Sequence, residues 1–145
     1  MKTRVFVSIL ILVVAVLLVI GSCATGKKAY VATEDEELYG TWINEDHIVQ
    51  KQIIYPDGKQ EVFYSLSSVS PFATGQFTIM DKRTDSIGNI YYKCIWTSNV
   101  EGEIQYCLYK ISNSGMTLET IWSPVDYPKK IDSNDVGYLI RYRQE

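Results

Sequence analysis

From Leu38 onward the chain is cut into short runs of β-branched and aromatic residues, each closed by residues that turn. Eight such runs follow one another. They are LYGTWIN (38–44), IVQKQIIY (48–55), KQEVFYSLS (59–67), GQFTIMDK (75–82), NIYYKCIWT (89–97), EIQYCLYKIS (103–112), MTLETIW (116–122) and GYLIRYR (137–143). Dominance of Tyr, Ile, Val, Thr, Phe and Trp in runs of this length marks strands. Pro56-Asp57-Gly58, Thr84 to Gly88, Asn99 to Gly102 and Asn113-Ser114-Gly115 supply the backbone angles that tight connections need. No stretch beyond residue 23 keeps a helical period over any length.

Short connections favour antiparallel neighbours, so the strands are expected to run as an up-and-down meander. An open meander exposes two sheet edges, and closure removes both. The expected fold is therefore all-β, a small antiparallel up-and-down β-barrel of about eight strands over residues 38–145, with a two-sheet sandwich as the alternative. A barrel of about this strand number is either filled by its own side chains or holds one small ligand.

The fifth and sixth runs fix a register. With the hairpin centred between Val100 and Glu101, Cys94 falls opposite Cys107, Trp96 opposite Gln105, Tyr92 opposite Tyr109 and Ile90 opposite Ile111. That face is apolar and aromatic. The other carries Tyr91, Lys93, Ile95 and Thr97 against Lys110, Leu108, Tyr106 and Ile104, a mixed set suited to partial exposure. Opposed strand residues lie within the Cα range of a disulfide, so a Cys94–Cys107 bridge and two buried free thiols both fit.

The amino-terminal segment sets an address. Lys2 and Arg4 precede the apolar run Val5 to Ile20, interrupted only by Ser8, and Gly21-Ser22-Cys23 follows. Basic start, apolar middle and small residues at the exit are the parts of a secretory signal, and a run of sixteen positions is short for a stable membrane span. Ile20-Gly21-Ser22-Cys23 resembles the lipobox of bacterial lipoproteins. The resemblance implies a signal peptide over 1–22, cleavage before Cys23, and a diacylglycerol on the Cys23 thiol, so that membrane lipid holds the protein through an amino-terminal acyl anchor. It also implies a lipid-anchored protein of the bacterial envelope. Ala24, where an aspartate would signal retention in the inner membrane of enteric bacteria, points to the outer membrane.

Residues 23–37 then read as the lipidated cysteine and a flexible tether, with Glu34-Asp35-Glu36-Glu37 as a solvated charge run. Without Lys2 and Arg4 the chain has 12 basic and 17 acidic residues, a net charge of −5. An acidic chain without a basic patch argues against nucleic acid as a partner.

Catalytic and metal-binding constellations are not evident. His47 is the single histidine and reads as a turn residue. DSNDVG (132–137) has Asp132, Asn134 and Gly137 in the places of a calcium loop, but Val136 and Arg143 occupy two ligand positions. Asp81, Asp85 and Asn89 read as turn makers. The chain is therefore expected to be no enzyme and to need no metal or cofactor. Its unusual feature is tyrosine, with 11 residues, which with Trp42, Trp96 and Trp122 offers apolar faces and a few hydroxyls.

Gly40-Thr41-Trp42 on the first strand is similar to the G-x-W motif of lipocalins and lipocalin-like bacterial proteins. That resemblance implies an eight-stranded barrel closed at one end by Trp42, with Arg141 or Arg143 of the last strand packed over it. It also implies a small hydrophobic ligand in the mouth, lined by residues such as Tyr92, Trp96 and Tyr109. The competing expectation is a filled barrel that meets an envelope protein through the loops 68–74 and 123–136, which carry Phe72, Val125 and Tyr127.

Overall fold

The structure, a computed structural model, describes residues 30–100, 102–135 and 137–144. The segment 1–22 expected to be a signal peptide, Cys23 expected to carry the lipid, and residues 24–29 lie outside the described residues. Eight strands form: β1 (Gly40–Ile43), β2 (Lys51–Ile54), β3 (Lys59–Phe63), β4 (Ala73–Thr84), β5 (Ile90–Ser98), β6 (Ile104–Ile111), β7 (Thr117–Ser123) and β8 (Leu139–Arg143). Each pairs antiparallel with the next, and β8 returns to β1, where Trp42 lies opposite Arg143. The all-β, up-and-down closed barrel expected from the strand pattern is the fold.

Closure turns the period-2 alternation into an inside and an outside. Trp42, Ile54, Phe77, Ile79, Tyr92, Cys94, Ile111 and Leu118 face inward and form the core with Leu38. The β5–β6 register places Cys94 opposite Cys107, Tyr92 opposite Tyr109 and Trp96 opposite Gln105, as the turn position required. The outer face of this hairpin is partly covered. Leu108 is buried, and Tyr127 of the β7–β8 connection packs edge-on against Tyr106 with Lys93 over its ring. Tyr127 is thus half-buried rather than presented, whereas Phe72 and Val125 are exposed.

One irregularity decides the interior chemistry of β4. Gly75, Phe77 and Ile79 point inward, and simple alternation would bring Asp81 in next. The register shifts between Ile79 and Asp81, so that Lys82 lies opposite the inward Tyr92 while Asp81 lies opposite the exposed Lys93. A β-bulge thereby exchanges an inward acid for an inward base.

The barrel has two different ends. The connections β2–β3, β4–β5 and β6–β7 are short and share one end with the segment entering β1. The connections β1–β2, β3–β4, β5–β6 and β7–β8 share the other, and these include the longest loops.

Candidate functional site

The end with short turns is closed. Trp42 is fully buried, its indole Nε1 donates to Leu38 O at 2.9 Å, and the Arg143 guanidinium lies 4.5 Å from its ring. Arg143 also donates to the carbonyls of Gly115, Tyr39 and Glu37, tying β8 to the turn before β7 and to the entering segment. Gly40 has a φ of +133°, and a Cβ there would stand 3.4 Å from Arg143 Nη1. The glycine of the G-x-W stretch therefore answers a backbone requirement beside the arginine.

The reading of 34–37 as a solvated charge run is corrected at Glu36. Its carboxylate is buried beneath the barrel, while Glu34, Asp35 and Glu37 remain exposed. Tyr30 donates to Oε1, as does the Thr33 N–H at 3.1 Å. Tyr92 and Lys82 approach Oε2 at 3.1 and 2.8 Å, and both also reach Glu37 Oε2. Burial alone would raise the Glu36 carboxyl, but these donors outweigh it and hold it at about 2. The described part of the segment read as tether thus seats against the barrel at Tyr30 and Glu36. Tyr92, read as a ligand-lining residue, belongs to this buried cluster. Burial and the adjoining carboxylates push its hydroxyl far up, so it acts as a neutral donor.

The end with the longer loops is open, and a cavity of about 320 Å³ enters the barrel there. Its walls combine Val49, Val62, Phe72, Trp96, Trp122 and Leu139 with a polar inner group of Gln52, Gln60, Tyr109, Thr120 and Arg141. Trp96 has room because β4 carries Gly75 beside it: a Cβ on Gly75 would lie 2.5 Å from the Trp96 indole and from Thr97 O. Of the three residues read as ligand-lining, Trp96 and Tyr109 line this cavity and Tyr92 does not.

The inner group is unusual for a barrel interior. Gln52, Gln60, Thr120 and Arg141 are all buried. Tyr109 Oη donates to Gln60 Oε1 at 3.5 Å. Arg141, paired with Arg143 in the sequence reading as a closing arginine, is separated from it: Arg143 covers Trp42 at the closed end, and Arg141 lines the cavity. Burial brings its guanidinium down to about 10, with Tyr109 opposing the shift, so it stays charged at neutral pH. The sequence reading missed Gln52, Gln60 and Thr120. Their signal was the alternation itself, since each stands two positions from an inward apolar residue: Ile54, Val62 and Leu118 respectively.

Cys94 and Cys107 face each other as free thiols. The Ser98 N–H bonds to Glu103 O, and alternation along the ladder from that pair makes Cys94–Cys107 a hydrogen-bonded pair, the wider of the two antiparallel spacings. Burial raises both thiols, Cys107 to about 12. His47 accepts from the Val49 N–H within its own turn, and Asp85 and Asp132 accept from backbone N–H groups of theirs.

No family model, curated protein or solved structure matches this chain.

Proposed function

We propose that this chain is a ligand-binding lipoprotein of the bacterial envelope, anchored through Cys23 in the outer membrane, whose barrel holds one small, largely apolar molecule. The activity is binding, without a chemical step. The observation that carries this reading is the cavity of about 320 Å³ at the open end. Ligand sites run from about 300 to 1,000 Å³ with mostly apolar walls and a few convergent polar groups, and this cavity has both at the small end of that range. The longest connections surround its mouth, where a rigid scaffold commonly carries its recognition elements. The lipocalin resemblance adds the Gly40-x-Trp42 stretch with an arginine stacked on the tryptophan.

The anchor gives the cavity a direction. Seven Cα steps, about 25 Å when extended, join Cys23 to Tyr30, which docks at the closed end. This favours a mouth that opens away from the anchoring bilayer.

A second reading, an interaction module for another envelope protein, draws on the rim of the mouth. Ile48, Tyr64, Val69 and Phe72 are exposed there, with Tyr64 and Phe72 stacked at 3.8 Å. Native mass spectrometry of the full chain, released from detergent after exposure to a small-molecule extract of its host, separates the two. A discrete adduct lost on Trp96→Ala is the expected result; a clean apo mass would refute the binding reading and favour the module.

A further inference from the structure

The cavity wall is specific about charge. Three of its buried groups have no hydrogen-bond partner among the described residues: Trp96 Nε1, Thr120 Oγ1 and Arg141 Nε. An indole N–H and a guanidinium N–H only donate, and a threonine hydroxyl can donate. Tyr109 already occupies Gln60 Oε1, which leaves the amide Nε2 of Gln60 as a further donor. No Asp or Glu lines the cavity among its described residues, and Arg141 is 3 % exposed with no ion-pair partner among them. A buried cation without a partner is costly for a fold, and a set of unpaired donors around it adds to that cost. Both costs fall when an anionic acceptor enters.

We infer that the cavity takes a small monocarboxylate, with its carboxylate on Arg141 and Thr120 and its apolar body against Trp96, Trp122 and Val62. This rests on the binding reading above and goes further by naming the chemical class. A guanidinium matches a carboxylate with paired, charge-assisted hydrogen bonds. Size limits the body: at about 30 Å³ for each water-sized group, the cavity holds about ten heavy atoms. Long acyl chains are therefore excluded, and a short aliphatic or single-ring acid fits. Counted from the open end, Thr120 lies deeper than Trp122 on β7 and Arg141 deeper than Leu139 on β8, so the acid enters carboxylate first.

The test is isothermal titration calorimetry on the full chain in nanodiscs, with empty nanodiscs as the blank. Hydrocinnamate and its neutral amide are the probes, because they share shape and size and differ in charge. The wild type is expected to bind the acid at least about tenfold more tightly than the amide. Arg141→Met is expected to weaken the acid about ten- to hundredfold while leaving the amide within about threefold. Should that variant fail to fold, Thr120→Val serves in its place, with a selective several-fold loss for the acid. Equal affinity for acid and amide, or undiminished acid binding by Arg141→Met, would overturn the carboxylate assignment and leave the binding reading standing. No binding of either probe would overturn both.

Discussion

Removing the charge from Glu36 tests how the entering segment is held to the barrel. In the fold its carboxyl is held at about 2, against an ordinary value of 4.5. At 1.36 kcal/mol per pKa unit, that depression corresponds to about 3 kcal/mol. The side chain is only 1 % exposed, so solvent screening takes little from this figure. A folded value below the unfolded one stabilises the fold at pH above about 4.5, and the contribution is lost as pH falls toward 2. Glu37, Glu61, Asp85 and Asp132 are also shifted down, so the wild-type curve alone does not isolate Glu36. The informative quantity is the stability difference between wild type and Glu36→Gln. Urea unfolding of the full chain in micelles, followed by tryptophan fluorescence from pH 7 to pH 2, measures it. The difference is expected to shrink by about 3 kcal/mol across the interval from pH 5 to 2, because a protonated Glu36 is as neutral as the glutamine that replaces it. A difference that stays flat through that interval would refute the ion-paired, buried placement of Glu36 under Tyr92 and Lys82.

Two further outcomes follow from the packing. Gly75→Ala would place a Cβ 2.5 Å from both Thr97 O and the Trp96 indole, so a loss of about 1–3 kcal/mol in unfolding free energy is expected, together with a shifted Trp96 emission. An unchanged stability would mean that Trp96 does not lie across β4. Cys94 and Cys107 are buried with raised thiols, so neither is expected to react with iodoacetamide at pH 8 in the folded chain, and both are expected to label on unfolding in urea. Labelling of neither after unfolding, read by peptide mass, would show that they are joined.

The strand order was legible because it is written locally. A run such as NIYYKCIWT is β-rich in its own composition, and the turn residues on either side limit where it ends. The β5–β6 register was legible for the same reason, since a short hairpin connection leaves few ways to pair Cys94 with anything but Cys107. Closure followed from the cost of leaving the first and last strands unpaired, and β1 does pair with β8.

What only the tertiary structure decided depends on groups far apart in the chain. Glu36 has donors a few residues upstream in Tyr30 and the Thr33 N–H, but the two that meet its other oxygen come from far along the chain: Tyr92 on β5, and Lys82, which a bulge in β4 turns inward. Arg141 and Arg143 share a face of β8, yet the barrel axis carries one to the closed end and the other to the cavity. Sequence periodicity assigns a residue to the inside or the outside. It does not state its height along the axis, nor which side chains from other strands stand at that height. In this protein that height separates an arginine that seals the barrel from an arginine inside it that has no ion-pair partner among the described residues.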